Sequence, residues 1–244
     1  ATAGLASAAA LALAPVLRPA PSSLAQRVQD LETVTAPIDV VGGDLVISSV
    51  NVHVRNGSGS SFTPNGKGNL LVGYRTLDPA TGFLTGSHNL VLGTDHVRLA
   101  GTCGVVAGAG HSTDQIGASV SGGFGNVALN QGASVLGGVN NQALGPGSTV
   151  SGGRDNEAQG DHSSVVGGLD SHAGGAGASV LGGHRNAAFN EHSTAIGGAD
   201  NSAQAPTCTV VGGKGNLAGR TFIGAEITPP VVGAVVIGGR DNKA

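Results

Sequence analysis

Large side chains are nearly missing from this chain: it has no tryptophan, no methionine and only 2% aromatic residues. Such a chain cannot fill an ordinary globular interior, and its 44 glycines would otherwise mark a disordered segment. Charge is scarce too. The 11% of charged residues and the net charge of −3 leave no basic patch for nucleic acid. Two cysteines are too few to staple a small fold at regular intervals, and they do not fix a redox compartment. Residues 1–20 are Ala-rich and apolar, but too short and too rich in small residues to span a membrane.

What remains is a clock. From Val105 to Val210 the chain repeats every 15 residues, in units such as GASVLGGVNNQALGP, GSTVSGGRDNEAQGD and HSSVVGGLDSHAGGA. A fixed short period marks a solenoid, in which each unit contacts only its neighbours. Small residues that could not pack as a random mixture can stack when they recur in columns. The expectation is an all-β parallel β-solenoid with 15-residue coils.

Each column has a physical requirement. The valine column holds Val105, Val120, Val135, Val150, Val165, Val180, Ala195 and Val210. Stacked on rungs about 4.8 Å apart, these form an apolar ladder, and β-branched residues suit a strand. Three residues on, Gly recurs from Gly108 to Gly213, usually after a second Gly, which implies a tight corner or close backbone approach. Six residues after the valine stand Asn126, Asn141, Asn156, Asn186, Asn201 and Asn216, begun by His111 and interrupted by Ser171. Asn bonds readily to turn backbone, so this row reads as a turn-forming stack rather than a ligand site.

The column at eight, Ala128 to Ala218, admits only a methyl group, so the coil is thin. At ten, Asn130, Gly145, Gly160, Gly175 and Asn190 predict a second corner with positive φ. Charges such as Arg154-Asp155, His184-Arg185 and Arg240-Asp241 gather at the first corner, which should face water. The column after the valine (Val106, Ser121, Leu136, Ser151, Val166, Leu181, Ile196, Val211) should point outward by strand alternation. An outward apolar stripe on a solenoid with a thin core predicts association between subunits.

Along the chain, 1–20 reads as a signal-peptide remnant or flexible Ala-rich segment, with Ala12 and Ala14 in A-x-A spacing. Residues 21–37 predict a short helix or coiled-coil-like segment, with Leu24, Val28 and Leu31 at helical spacing. Residues 38–68 alternate at Leu45, Ile47, Val50, Val52 and Val54 and predict N-terminal capping strands. The repeats occupy 69–244, drifting at Phe222 and returning at Val236. A sequence stopping in mid-unit reads as part of a longer protein.

Catalytic chemistry finds little footing, and no catalytic, cofactor or metal residue is assigned. His162 and His192 follow Asp161 and Glu191, but two rungs separate them by about 10 Å, too far to share one metal. Gly66-Lys67 and Gly213-Lys214 lack the spacing of a phosphate loop. Asn56-Gly57-Ser58 is a glycosylation sequon that reads as a turn. Cys103 and Cys208 share a repeat position roughly 34 Å apart and cannot bond to each other.

Val165, Gly168, Ser171, Ala173 and Gly175, in VVGGLDSHAGG, make the pattern Val, Gly at three, Ser or Asn at six, Ala at eight and Gly at ten. This resembles the repeats of trimeric autotransporter adhesin heads over about residues 69–244. The resemblance implies a left-handed parallel β-roll, three chains around one axis, and attachment at a bacterial surface. Two departures stand out: Gly replaces the family's Ile at two, and the period is 15 rather than about 14.

Three function classes follow. The first is a non-enzymatic, homotrimeric adhesive or structural module, secreted or at a bacterial cell surface, contacting matrix, glycan or neighbouring cells. A secreted filament or phage tail fibre is a variant of it. The second is a monomeric ice-binding β-helix, which needs two flat Thr columns where only Ser119, Ser134, Thr149, Ser164, Ser179, Thr194 and Thr209 supply one. The third, an acyltransferase on an 18-residue left-handed coil, requires a catalytic His at a subunit cleft. The expectation is the first class, with no enzyme activity, no cofactor, no nucleic-acid partner and no membrane span.

Overall fold

The structure is a computed structural model that describes residues 23, 38–41, 44–47, 51–60, 63–73, 84–219, 222–223, 226–227 and 232–244. The expected leader over 1–20 and the helix over 21–37 lie outside these residues, save Ser23. The chain divides into two compact units, Ala1–His53 and Val54–Ala244. In the first, Ile38–Val41 pairs antiparallel with Asp44–Ile47. The alternation at Val52 and Val54 does not form a strand: residues 51–60 have no ladder partner, and both valines are exposed.

The second unit is a parallel β-solenoid of about nine turns. Two parallel sheets face each other across the coil, of eleven and nine strands among the described residues. The first, here the valine wall, runs from Leu70–Val72 through Ser119–Val120 and its repeats to Val235–Ile237. The second, the alanine wall, runs from Arg98–Leu99 to Leu217–Ala218. Val120, Val135, Val150, Val165 and Val180 stack in register with no solvent exposure. Opposite them Ala128, Ala143, Ala158, Ala173 and Ala188 do the same. The expected solenoid, inward valines and thin alanine side are therefore present. Ser121, Leu136, Val166 and Leu181 point outward, as alternation requires.

The first strict rung departs from the expected register. Val106, not Val105, pairs with Val120 and is buried; Val105 is 40% exposed. Beyond the corner the offset returns to 15, with Ala109 opposite Phe124. One extra residue therefore sits between Val120 and Phe124. Gly108 lies against Gly123, which makes Gly122 the insertion, a bulge at the corner. Counting back by 15 from Val120 consequently selects the wrong valine.

The same slip separates the cysteines. Cys208 belongs to the buried column Ala118, Ala133, Ala178, whose counterpart in the first rung is Gly104; Cys103 is exposed at φ 61°. A larger insertion follows Ala218. Val210 pairs with Val236, and Asn242 binds Asn216 across 26 residues. Phe222–Ile223 and Glu226–Ile227 pair antiparallel within the inserted stretch.

The corners explain most of the glycine. The second residue of each pair is left-handed, for example Gly138 at φ 86° and Gly153 at φ 84°. A Cβ on Gly138 would overlap the Gly153 carbonyl of the next rung. The second corner differs from the expectation. Positive φ falls at Gly132, Gly147, His162, Gly177, His192 and Thr207, two residues later than predicted. Gly145 and Gly160 are small for a different reason, since a Cβ on either would strike the next rung's backbone.

The two glycines of one pair should therefore respond oppositely to Ala. Gly138→Ala should destabilise the solenoid by more than about 2 kcal/mol, from left-handed strain plus overlap. Gly137, with open space and no positive φ, should accept Ala with a change within about 1 kcal/mol. Urea unfolding of both variants decides it.

Candidate interaction surfaces

A solenoid this thin offers three places where chemistry can concentrate: the carboxamide row between the walls, and the outer face of each wall. The carboxamide row is fully committed to structure. Asn126, Asn141, Asn156, Asn186, Asn201 and Asn216 are all buried. Asn156 is typical: its Oδ1 accepts from the Ser171 backbone N–H at 3.0 Å. Its Nδ2 donates to the Gly152 carbonyl at 2.9 Å and the Gly168 carbonyl at 3.0 Å. One side chain thus partners the Ser171 N–H and the Gly152 carbonyl, which find no backbone partner at the corner, and adds a second donor to the Gly168 carbonyl, which already accepts from the Arg154 N–H. Ser171 is too short for this role and reaches only the Leu169 carbonyl, at 3.5 Å.

Two imidazoles continue the row toward the N-terminus. His111 Nδ1 accepts from the Asn126 backbone N–H at 3.1 Å, as an Asn Oδ1 would. His96 Nε2 lies 3.3 Å from the Leu92 carbonyl, four residues back, as an Asn Nδ2 would. The rings stack with centroids 5.5 Å apart. Burial lowers the pKa of both below the ordinary histidine value, with His96 adding to the shift at His111. The Leu92 carbonyl and then Asp95 oppose the shift at His96. At His111 the lone pair that accepts the Asn126 N–H must be unprotonated, which adds to burial in favouring the neutral ring, while the Ala107 and Gly123 carbonyls oppose it.

On the valine wall, the column after the inward valine is largely apolar and open. Leu136 is 53% exposed, Val166 51%, Leu181 43% and Ile237 77%, with Ile196 and Val211 half-buried between the last two. Leu181, Ile196, Val211 and Ile237 pair in one continuous register. The hydroxyl column from Ser119 to Thr209 lies two residues earlier on the same face, half-buried. The alanine wall carries a different exterior, with Gln142, Glu157, Gln159, His172, Phe189, Ser202 and Gln204 among its outward residues.

The other residues considered from sequence do not converge. His162 and His192 occupy the left-handed corner, each ring lying over a glycine of the preceding rung, Gly147 and Gly177. His192 Nε2 lies 3.4 Å from its neighbour Glu191. Among the described residues, no group of three His, Cys, Asp or Glu is placed to hold a metal. Asn56 of the sequon is buried and spent on its own loop. It accepts from the Ser58 N–H at 2.9 Å and donates to the Ser60 and Thr63 carbonyls. Lys67 donates its backbone N–H to Asn65 within a turn, and Lys214 lies exposed on the charged corner between Ala199 and Arg240. That corner is open to water, as expected, and Arg185 bridges to Asp200 across rungs at 2.8 Å. Among the described residues, no helix is long and apolar enough to cross a membrane.

No protein-family model and no curated protein matches the chain.

Two outcomes follow from the buried row. Ser171→Asn should restore the missing carboxamide and raise stability by about 1 kcal/mol, read as a higher urea midpoint at unchanged slope. The second concerns acid. A base whose folded pKa lies below its unfolded value near 6.5 leaves the unfolded chain binding more protons as pH falls. The contribution of His96 and His111 is complete above about pH 6.5 and is lost as pH drops below it. Melting temperature measured from pH 7.5 to 5 should fall, and His111→Asn should flatten the fall. An identical slope in the variant would remove His111 as its source.

Proposed function

We propose that this chain is a non-enzymatic adhesive or structural module, secreted or displayed at a bacterial surface, that works as a homotrimer. The observation carrying this reading is the outward apolar column on the valine wall. Leu136, Val166, Leu181, Ile196, Val211 and Ile237 share one face. Their backbone ladder holds them at strand spacing, and an apolar stripe of this kind is typical of a subunit interface. The thin interior, with Val and Ala as its main apolar residues, adds to the case, because small cores gain stability by association.

The repeat's resemblance to trimeric autotransporter heads supports three copies around one axis, each as a left-handed roll. Contacts to matrix, glycan or neighbouring cells then fall to the corners and the alanine wall, repeated three times. Weak contacts so multiplied give avidity without a deep pocket. An ice-binding role is less well supported, because the valine wall has one hydroxyl column and its companion is apolar.

Light scattering coupled to size exclusion tests the assembly. The expected mass is three times the 23.5 kDa of the chain. Replacing Leu136, Leu181 and Ile196 together by Asp should reduce it to a single chain while circular dichroism keeps its β-sheet signal. A stable monomer of the unaltered chain with full β content would overturn the trimer.

A further inference from the structure

One patch on the alanine wall departs from the rest of the repeat. Glu157, His172 and Ala187 stand side by side on three paired strands. Two residues further along each rung come Gln159, Gly174 and Phe189, on the same outward face by strand alternation. His172 ties the group together. Its Nε2 lies 3.2 Å from Gln159 Oε1 and 3.9 Å from Glu157 Oε1. Its ring meets Phe189 edge-on, with centroids 5.3 Å apart. A Cβ on Gly174 would lie 2.9 Å from His172 Cε1, so the imidazole leans across the bare glycine. With the imidazole over Gly174 and only a methyl group at Ala187, the group forms a low outward surface of one aromatic ring and planar polar groups.

Phe189 is the telling residue. It is 47% exposed, although the chain has only 2% aromatics, and no other aromatic faces outward on this wall in the strict repeats. A half-exposed ring forgoes much of the burial that makes Phe useful in a core. Held edge-on by His172, it presents a fixed apolar surface beside hydrogen-bonding groups, and that surface is already ordered before a ligand arrives.

We infer that this patch binds a neutral carbohydrate. A pyranose has an apolar C–H face that stacks on an aromatic ring and equatorial hydroxyls that meet planar amides and carboxylates. Phe189 supplies the ring. Gln159 and Glu157 supply the polar partners on one side, and Gln204, one rung beyond Phe189 in its own column, supplies another.

Charge decides against acidic sugars. No Lys or Arg occupies these two columns from Gln142 to Gln204, Glu157 repels an anion, and nearby Arg185 is held by Asp200. The valine wall, assigned above to the trimer, leaves this face open to a ligand. The biological use of the patch rests on that adhesive reading, although sugar binding itself does not require the trimer.

Saturation-transfer NMR on the full chain, with maltotriose, triacetylchitotriose and 3′-sialyllactose as probes, tests the inference. Transfer is expected to at least one of the two neutral sugars, strongest at ring C–H protons, with sialyllactose weaker. Phe189→Ala should weaken binding about fivefold or more, Phe189→Tyr should retain it, and Gln159→Ala should give a smaller loss. Unchanged melting of Phe189→Ala shows that the loss is local. Absence of transfer to both neutral sugars, equal transfer in Phe189→Ala, or preference for sialyllactose would each overturn the assignment. Light scattering and cell attachment on the same samples keep the two readings apart. Sugar transfer and attachment that both survive Phe189→Ala sink the sugar site and leave the adhesive role, whereas a monomer that binds sugar through Phe189 keeps the site and loses the trimer.

Discussion

The buried carboxamide row governs this solenoid. A coil of 15 residues spends many of them on two tight corners, and the backbone groups there cannot all reach the neighbouring rung's backbone. Each Asn closes that gap with one acceptor on the next rung's N–H and two donations to glycine carbonyls, as at Asn156. The geometry works only if successive rungs stay in register and the second corner glycine carries no side chain. The Asn and the left-handed Gly are therefore one device, repeated. Because a neutral imidazole can imitate a carboxamide, His96 and His111 extend the row.

With so little volume inside, the outer faces carry the differences. Both walls bury one small inward column in the same way, Val on one and Ala on the other. Outside, the valine wall shows a stripe of Leu, Val and Ile, whereas the alanine wall mixes Val127, Leu129, Leu144 and Leu217 with amides, a carboxylate, an imidazole and one Phe. An apolar stripe favours a second protein surface, and a mixed face with an ordered ring favours a small polar ligand. The two assignments occupy opposite sides of the coil and do not compete.

Much of this was legible in advance. Inward Val and small Ala columns, the water-facing charged corner and the parallel solenoid all follow from residue type repeated at a fixed interval. Each rung places the same position in the same environment, so a column reports its surroundings many times over. Asn as a turn-forming stack was likewise readable, although its three bonds per side chain were not. The His pair went unnoticed because His96 precedes the strict repeat, and only its stacking under His111 reveals the shared role.

The sequence by itself determined the period, the strand positions and the chemistry of the interior, because those depend on composition within each column. Tertiary structure alone decided the register of the first rung. Val105 and Val106 are equally apolar, and only inter-rung pairing reveals that Gly122 is inserted and that Val106 is the core residue. It also moved the left-handed corner from Gly145 to Gly147, since Gly serves there both for conformation and for crowding, and composition cannot separate the two. The cluster of Glu157, Gln159, His172 and Phe189 belongs to the same class. Its members spread over three rungs and two columns, and side-chain contact across a sheet depends on where each rotamer lands, which no periodicity records.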